Sequence, residues 1–254
     1  LNYNLELGKN NNSKKFINIF AKQFRKILVK EKPKILIVQG DTNTCVASAF
    51  VANKLNYHSN MNIKIVHVEA GLRSYDFSMP EESNRIIVDH VSDILFPPTN
   101  IQKKILLGEG INKGIYVVGS TIVDNLKNKK LKIIKKNFFL LTIHRYENVS
   151  VKSRLLKIIQ IMQKISKIYN IQVLFPCHPN TQKKIKSYKI NIGQDIKILS
   201  PLNYDNFLSY LKSCIVVFSD SGGLQEEACI LKKHLITFRN NTERPETIKI
   251  NANF

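Results

Sequence analysis

The sequence predicts an α/β protein that consists of two doubly wound, Rossmann-like domains. Short apolar runs of strand length alternate with segments of helix length along almost the whole chain. Strands that are separated by single helices require right-handed crossovers and form mostly parallel sheets. A lysine-rich stretch around 120–136 interrupts this alternation. We therefore expect one domain at 1–125 and a second domain at 126–254.

In the first series, apolar runs indicate buried strands, and the longer segments between them indicate helices. Strands are expected at 34–39, 63–68, 94–96 and 115–118, and helices at 43–54, 81–91 and near 100–107. The segment 125–136 is rich in lysine and has no strand pattern. We interpret it as a helix that leads into a linker.

In the second series, the same alternation starts at 138 and continues to 238. Strands are expected at 138–142, 171–175, 196–199, 214–218 and 234–238, and helices at 151–169, 181–187, 204–212 and 221–231. Ligands of doubly wound sheets bind at the carboxyl ends of the strands, so the loops after these strands are the first candidates for a site.

The composition is that of a soluble globular protein, with 43% hydrophobic and 23% charged residues among 254. The longest apolar runs, such as 214–218, have the length of strands, so we expect no membrane span. No signal peptide is visible, which favours the cytoplasm. The four cysteines form no Cys-x-x-Cys pair, which favours buried free thiols over disulfides or zinc.

The net charge of +20 does not by itself indicate nucleic-acid binding. The excess is mostly lysine, which is spread over segments such as 127–136 and 183–189 and interleaved with asparagine and isoleucine. This dispersion indicates a diffuse, solvated charge, and we expect no nucleic-acid partner. A positive potential would still attract an anionic substrate.

Carboxylates gather in residues 67–85, although the chain as a whole is basic. The acidic residues of this stretch are Glu69, Asp76, Glu81 and Glu82. They follow the strand expected at 63–68, and doubly wound folds place their chemistry at such strand ends. This stretch is therefore the first candidate for acid–base catalysis. His67, within the strand, is compatible with a hydrogen-bonded core histidine.

Other polar residues also follow expected strands. Asp41 either caps the next helix or places a carboxylate in the same crevice as Glu69. His144 and Arg145 suit diphosphate binding or proton transfer, although a loop histidine without such a function fits the same spacing. His178 follows a later strand in the same way, but its flanking prolines also fit a rigid turn.

The segment 218–227, Phe-Ser-Asp-Ser-Gly-Gly-Leu-Gln-Glu-Glu, connects a strand to a helix. Ser221 can cap this helix, and Gly222 and Gly223 allow a ligand to approach the backbone N–H groups. These N–H groups and the helix dipole favour a phosphate, and Glu227 or its neighbour could accept hydrogen bonds from ribose hydroxyls. A capping box with a tight turn is the alternative interpretation.

Sequence patterns for metals and common cofactors are not found. The chain has no His-x-x-x-His or paired-cysteine spacing, so we expect no metal site. It also lacks a Walker A loop and a Gly-x-Gly-x-x-Gly fingerprint, which disfavours an ATPase or a dehydrogenase. We therefore expect neither a metal nor an external cofactor.

Eight ordered segments together resemble the non-hydrolysing UDP-N-acetylglucosamine 2-epimerase family. The segments are Gly40-Asp-Thr42, His67-Val-Glu-Ala-Gly-Leu-Arg73, Pro80-Glu-Glu-x-Asn-Arg85, Val118-Gly-Ser120, His144-Arg145, His178-Pro-Asn180, Ser219-Asp-Ser-Gly-Gly-x-Gln-Glu-Glu227 and Thr242-Glu-Arg-Pro-Glu246. They span nearly the whole chain, and their order makes the resemblance specific, although each segment alone is a weak signal.

The resemblance implies a fold of the glycosyltransferase B type, with a UDP-sugar bound in the cleft between two domains. It implies inversion at C2 of UDP-N-acetylglucosamine to give UDP-N-acetylmannosamine, a precursor of surface polysaccharide. In that family UDP is eliminated to leave a 2-acetamidoglucal and is then added back with the proton on the other face. No external cofactor is required, and the family's usual assembly is a homodimer.

The resemblance also implies roles for individual residues. The positions that match acid–base and intermediate-stabilising residues are Asp41, Glu69, Glu81 and His144. The positions that match nucleotide-binding residues are Arg145, Ser221, Gly222, Gly223 and Glu227. We also expect Arg73 and His178 to contact the substrate. Clustered carboxylates in a closed cleft raise one another's pKa values, so one can act as an acid while another acts as a base.

The chain departs from the family's pattern at both ends. Members begin with a strand and a Gly-x-Arg-Pro-Glu loop, and neither precedes the strand expected at 34–39. The family's final helices are also not found after Phe254. We therefore expect two domains that are incomplete at both ends, an exposed sheet edge and poor solubility.

Two alternatives stay open at this point. A relative that acts on a modified UDP-diacetamido sugar, by epimerisation with or without hydrolysis, would carry the same motifs. A catalytically impaired chain that only binds nucleotide would also carry them.

Overall fold

The computed structural model of the protein describes residues 3–5 and 13–254. The helices are α1 (Ser13–Glu31), α2 (Asn43–Ser59), α3 (Pro80–Val91), α4 (Asn100–Gly108), α5 (Thr121–Lys127), α6 (Tyr146–Val149), α7 (Lys152–Tyr169), α8 (Pro179–Ser187), α9 (Tyr204–Ser213), α10 (Gly222–Ile230) and α11 (Pro245–Lys249). The strands are β1 (Ile35–Gln39), β2 (Lys64–Val68), β3 (Ile94–Phe96), β4 (Phe139–Thr142), β5 (Val173–Pro176), β6 (Ile196–Leu199), β7 (Val217–Ser219) and β8 (Leu235–Thr237). Contacts divide the chain into two compact units, Leu1–Ser120 and Thr121–Phe254.

The first unit contains a parallel sheet with the strand order β1-β2-β3. Helices α1, α2 and α3 supply apolar side chains to its core, among them Leu28, Ala49 and Val88. Gln39 is paired with Val68 in the register of β1 and β2. The loops that follow these two strands therefore leave the sheet side by side.

Strand β1 is an edge strand in the described part of this sheet. Its residues Ile35 and Ile37 are 56% and 66% exposed, in spite of their apolar side chains. Parallel strands are usually covered by helices on both faces of the sheet. The face of β1 that carries Ile35 and Ile37 has no such cover among the described residues.

The second unit contains a five-stranded parallel sheet with the order β6-β5-β4-β7-β8. Successive side chains of β4 enter different cores: Phe139 and Leu141 pack in one cluster, whereas Leu140 packs in the other together with Phe138, which precedes the strand. Side chains that alternate between two apolar cores show that helices cover both faces of this sheet, as in a doubly wound fold.

Several element predictions were wrong in detail. Residues 115–118 form no strand: Ile115 makes only an isolated bridge to Leu95, and the side chains of the next three residues are exposed. Helix α2 continues beyond residue 54 until Asn60, whose left-handed φ of 50° ends it. The helix expected at 125–136 is α5, which starts earlier and ends at Lys127.

Helices α1, α6 and α11 were not predicted from the sequence. All four cysteines are unpaired, and Cys45, Cys177 and Cys214 are buried. Burial raises the pKa of the Cys177 thiol to about 11, so this thiol is held in its unreactive protonated form. No helix within the described residues is long and apolar enough to cross a membrane.

Candidate active site

Asp41 lies at the carboxyl end of β1 and is bound by Arg85 from α3. The Nε and Nη2 atoms of Arg85 lie 2.9 and 2.6 Å from Oδ2 of Asp41. The alternative role considered for Asp41, capping α2, belongs instead to Thr42, whose Oγ1 accepts a hydrogen bond from the Cys45 N–H at 3.3 Å. Asp41 therefore keeps its carboxylate at the sheet edge, where Asn84 also donates to its backbone carbonyl at 2.8 Å.

Glu69 follows β2 directly and adopts a left-handed backbone conformation with a φ of 69°. This conformation disfavours residues with a Cβ atom and typically costs about 1–3 kcal/mol. Its Oε1 accepts a hydrogen bond of 2.7 Å from Nε2 of Gln39 on the neighbouring strand. Such backbone strain is typical of functional sites, so Glu69 is a strong candidate for a catalytic carboxylate.

Glu81 and Glu82 lie side by side in the first turn of α3, but their surroundings differ. Glu82 is fully buried and accepts hydrogen bonds from the N–H groups of Ser74 and Tyr75 and from Arg85. Burial alone would raise the pKa of Glu82, but these donors outweigh it and hold that pKa below the ordinary value. Glu82 therefore anchors the loop before α3.

Glu81 is half-buried, and no partner for its carboxylate is found among the described residues. It precedes Arg85 by one helical turn, so both side chains lie on the same face of α3. Asp41 and Glu69 thus follow neighbouring strands of the first sheet, and Arg85 joins Asp41 to the helix whose first turn carries Glu81.

Arg73 is buried, with 3% of its surface exposed, and its guanidinium is fully engaged. It donates to both carboxylate oxygens of Glu109, at 2.8 and 2.6 Å, and pairs with Asp89 at 2.7 Å. Burial opposes its charge, but the two carboxylates outweigh this effect and raise the pKa of Arg73. This burial argues against the predicted contact with substrate and gives Arg73 a structural role.

His67 belongs to the same buried network. Its Nδ1 lies 2.7 Å from Oδ1 of Asp89, and its Nε2 lies 3.0 Å from the carbonyl oxygen of Gly40. Both ring nitrogens therefore face oxygen acceptors. The interpretation of His67 as a hydrogen-bonded core histidine agrees with this geometry, and the ring ties β2 to the turn that carries Asp41.

In the second unit, the loops after β4 and β7 lie side by side because Thr142 is paired with Ser219 in the register. Asp220 is fully buried between them and accepts a 3.0 Å hydrogen bond from the backbone N–H of Arg145. Nδ2 of Asn148 donates to the same oxygen at 3.0 Å. Asp220 thus fixes the loop that carries the predicted residues His144 and Arg145.

Ser221 occupies the N-cap position of α10, but its side chain makes no capping hydrogen bond. A Cβ atom on Gly222 would lie 1.9 Å from Oε1 of Glu243, whereas one on Gly223 would meet nothing within 4 Å. Gly222 is therefore required by the packing of Glu243. Gly223 is the residue that leaves the helix N-terminus open to a ligand.

Arg239 lies beside this turn, because its Nη1 is 3.2 Å from the position that a Cβ on Gly222 would take. Its Nη2 pairs with Glu243 at 2.7 Å. The Nη1 atom is buried and has no hydrogen-bond partner among the described residues. A buried guanidinium N–H beside a helix N-terminus suits an anionic ligand.

Glu227, one turn into α10, accepts a 2.8 Å hydrogen bond from the hydroxyl of Tyr204. Burial raises the pKa of Glu227, and the bond from Tyr204 partly opposes this effect. Burial and the nearby carboxylate raise the pKa of Tyr204 to about 12, so the phenol stays a donor. Glu227 can therefore offer a fixed carboxylate to hydroxyl groups of a ligand.

A cavity of about 540 Å³ lies beside α6 and α8 in the second unit. Predicted residues His144 and His178 both line it, together with Lys183 and Lys184. Nδ1 of His178 accepts a 3.2 Å hydrogen bond from the Asn180 N–H, which leaves Nε2 as the donor of this ring. The lining is thus cationic and rich in donors.

Among residues 3–5 and 13–254, no group of His, Cys, Asp or Glu is arranged to hold a metal ion.

Comparison with known proteins identifies the family. The sequence model of the UDP-N-acetylglucosamine 2-epimerase family matches residues 1–254. The chain belongs to this family. The prediction made from the eight ordered segments is confirmed, and so is the predicted α/β class with Rossmann-like domains of the glycosyltransferase B type.

Relatives within the UDP-N-acetylglucosamine 2-epimerase family are closely similar. The UDP-N-acetylglucosamine 2-epimerase of Methanocaldococcus jannaschii is 44% identical, over 99% of this chain and 72% of the relative. A crystal structure of Methanocaldococcus jannaschii UDP-GlcNAc 2-epimerase in complex with UDP-GlcNAc and UDP superposes with a TM-score of 0.88 at 44% identity, and covers 99% of this chain and 72% of that one. The UDP-2,3-diacetamido-2,3-dideoxy-D-glucuronate 2-epimerase of Pseudomonas aeruginosa is 35% identical, over 89% of this chain and 64% of the relative.

Sequence reasoning missed residues that the structure places at these loops. Asp220 lies inside the segment 218–227, but a carboxylate between two serines gives no sign of its four converging donors. Tyr204 and Arg239 are distant in sequence from the helix N-terminus that they flank. Only the order of the strands in the sheet brings them there.

Proposed function

We propose that this protein is a UDP-N-acetylglucosamine 2-epimerase, an isomerase that converts UDP-N-acetylglucosamine to UDP-N-acetylmannosamine. Membership of the family supports this activity, and the Methanocaldococcus jannaschii structure contains UDP-GlcNAc and UDP. The observation that carries the proposal is that Asp41 and Glu69 follow neighbouring strands of one sheet, and that Arg85 joins Asp41 to α3, whose first turn carries Glu81. Inversion of a carbon centre requires a positioned proton acceptor and a positioned proton donor.

The proposed reaction has two steps. In the first step a base removes the C2 proton, the C1–O bond breaks, and UDP leaves a 2-acetamidoglucal. In the second step the C1–O bond forms again while a proton is delivered to the opposite face of C2. We assign the proton transfers and the stabilisation of the intermediate to Asp41, Glu69, Glu81 and His144.

The second unit supplies the proposed nucleotide contacts. The open N-terminus of α10 at Ser221 and Gly223 suits a phosphate, and Nη1 of Arg239 adds a donor beside it. Glu227 suits the ribose hydroxyls, since its carboxylate is already fixed by Tyr204. Arg145 and His178 are further proposed contacts. Gly222 shapes the turn through its packing against Glu243.

Incubation with UDP-N-acetylglucosamine in D2O tests the activity. We expect a UDP-linked product that carries deuterium at C2, because the proton returned to the other face comes from solvent-exchanged groups. Mass spectrometry and proton NMR of the nucleotide sugar report this directly. Free sugar together with UDP would indicate a hydrolysing enzyme instead, and UDP binding without turnover would indicate a chain that only binds nucleotide.

A substrate that carries further acetamido groups is a second candidate. The 35% identical relative from Pseudomonas aeruginosa, named for a UDP-diacetamido-glucuronate, favours this possibility. Parallel assays with UDP-N-acetylglucosamine and with a UDP-2,3-diacetamido sugar separate the two. The substrate with the higher kcat/KM identifies the function.

Glu81→Gln tests the assignment of one carboxylate. We expect turnover to fall by about 10²–10⁴-fold, which is the usual contribution of general acid–base catalysis, while UDP affinity changes little. Near-normal turnover would remove Glu81 from the mechanism. Glu31→Gln, at the exposed end of α1, serves as the matched control for loss of one carboxylate charge.

The cellular setting is also proposed. We infer a cytoplasmic enzyme that supplies precursors of surface polysaccharide, forms a homodimer and does not bind nucleic acid. Light scattering after size-exclusion chromatography tests the dimer. Electrophoretic mobility assays over a range of salt concentrations test nucleic-acid binding, since specific electrostatic binding would show a steep salt dependence.

A further inference from the structure

Asp220 is a buried carboxylate on which donors from one loop converge. It is fully buried after β7, and both of its oxygens lie 3.2 Å from the backbone N–H nitrogen of His144. The Arg145 N–H and the Asn148 amide donate to Oδ2, each at 3.0 Å. All of these donors belong to the loop after β4 and the start of α6. The same carboxylate therefore holds the backbone on both sides of the His144 side chain.

The ring of His144 faces this carboxylate as well. Its Nδ1 lies 3.3 Å from Oδ1 of Asp220, while the side chain is 51% exposed. No lysine or arginine of the described residues forms an ion pair with Asp220. A carboxylate in such a buried place gains most from a proton on the nitrogen that faces it. Catalytic hydrogen bonds are often long in a protein without substrate, so 3.3 Å is compatible with this role.

We propose that Asp220 is a positioning residue that keeps the proton of His144 on Nδ1 and thereby makes Nε2 the nitrogen that exchanges protons with the substrate. Asp220 accepts from the backbone N–H of His144 and also faces Nδ1 of its ring. These two contacts favour one orientation of the imidazole, with Nε2 pointing away from Asp220. During the reaction Nδ1 keeps its proton, and Nε2 takes up and releases one proton. The catalytic consequence rests on the proposed function of His144, but the position of the proton does not.

The chemistry of Asp220→Asn follows from the donors around it. Oδ2 accepts from Arg145 and Asn148 and shares the His144 N–H with Oδ1, so it has the larger number of donors and the amide oxygen of an asparagine takes its place. Its NH2 group then takes the place of Oδ1 and faces Nδ1 of His144. Nδ1 must accept a hydrogen bond from this amide, and the ring proton moves to Nε2. The variant therefore inverts the tautomer without a change in side-chain volume.

Long-range proton–nitrogen NMR of the protein with 15N-labelled histidine reports the tautomer. The signals of His144 are assigned by their loss in His144→Gln. We expect neutral His144 to carry its proton on Nδ1 in the parent protein and on Nε2 in Asp220→Asn. A parent ring with the proton on Nε2 overturns the proposal, and so does an Asp220→Asn ring that keeps it on Nδ1. The parent spectrum decides the point even where the variant does not fold.

Kinetics separate positioning from a general structural effect. We expect Asp220→Asn to lower kcat by about 10²–10⁴-fold with little change in KM, as expected for loss of a correctly oriented acid–base group. Asp205→Asn, an exposed acid of α9 in the same unit, is the matched control and keeps the parent kcat. A parent-like kcat in Asp220→Asn with an inverted tautomer would contradict the catalytic role of Nε2. If the parent protein has no epimerase activity, the proposed function fails while the NMR result still judges the role of Asp220.

Discussion

Arg85 donates two hydrogen bonds, of 2.9 and 2.6 Å, to a single carboxylate oxygen of Asp41. The third guanidinium nitrogen of Arg85 lies 2.7 Å from Glu82, so one buried side chain serves two carboxylates. Residues 41 and 85 belong to different parts of the sequence, and the contact fixes the turn after β1 against α3. The proposed catalytic residue Asp41 is thus held by a fork of donors that only arginine can supply.

Arg85→Lys tests this arrangement. The single nitrogen of a lysine cannot occupy the positions of three guanidinium nitrogens, so we expect kcat to fall by about tenfold or more and Tm to fall as well. Steady-state kinetics and thermal unfolding provide the two measurements. Lys64→Arg, at an exposed ion pair with Asp93, is the matched exchange at a position where both should stay unchanged. Parent-like kinetics in Arg85→Lys would show that the fork is dispensable.

Glu69 combines a proposed catalytic carboxylate with a strained backbone. Glu69→Gly and Glu69→Ala both remove the carboxylate, and we expect both to lose turnover. Glycine adopts a φ of 69° without penalty whereas alanine does not, so the glycine variant should be more stable than the alanine variant by about 1 kcal/mol. Chemical unfolding measures this difference. Equal stability of the two variants would show that the left-handed backbone stores no energy.

Glu82 contributes a pH dependence to stability. The hydrogen-bond donors around Glu82 hold its pKa in the folded protein below the ordinary value of 4.5. The ionised carboxylate therefore stabilises the fold fully above about pH 4.5. This stabilisation is lost as the pH falls through the lower pKa of the folded state. We expect Glu82→Gln to lower the free energy of unfolding at neutral pH by about 1–3 kcal/mol, because the N–H groups of Ser74 and Tyr75 lose a charged acceptor and Arg85 keeps only Asp41 as a carboxylate partner. Urea unfolding over a series of pH values measures the free energy of unfolding, which should fall less steeply with decreasing pH in the variant than in the parent protein. Glu81→Gln, at the half-buried neighbouring position, is the comparison and should keep the parent free energy of unfolding at neutral pH, because no partner for its carboxylate is found among the described residues.

Gly222 and Gly223 offer a matched pair at the start of α10. A Cβ on Gly222 would collide with Oε1 of Glu243, and the glutamate cannot move away without breaking its 2.7 Å ion pair with Arg239. We expect Gly222→Ala to destabilise the protein by about 1–3 kcal/mol and to weaken UDP binding. Gly223→Ala meets no atom within 4 Å and should keep the parent Tm. Thermal unfolding and calorimetric titration with UDP measure both effects, and similar Tm values for the two variants would contradict the packing argument.

The alternation of apolar runs was enough to predict most of the strands, because a strand buried on both faces needs an uninterrupted apolar run. Strands β3 and β6 have the predicted bounds, and β2 differs by one residue. The pattern failed at 115–118, where an apolar run forms a single bridge with Leu95 and stays exposed. An apolar run by itself does not reveal whether a neighbouring strand extends far enough to pair with it.

The amino-acid sequence was enough to predict the α/β class, the family and the loops that carry the candidate site, because motif order and strand ends are properties of the chain. Only the folded structure shows which partners the side chains in those loops have. Arg73 was expected to bind substrate, but its guanidinium is buried in ion pairs with Glu109 and Asp89. Asp220 was not predicted to be a site residue, but it accepts hydrogen bonds from the loop that carries His144. The physical reason is that the role of a charged side chain depends on its burial and on the groups that it contacts. The order of the strands brings these groups together from distant parts of the chain.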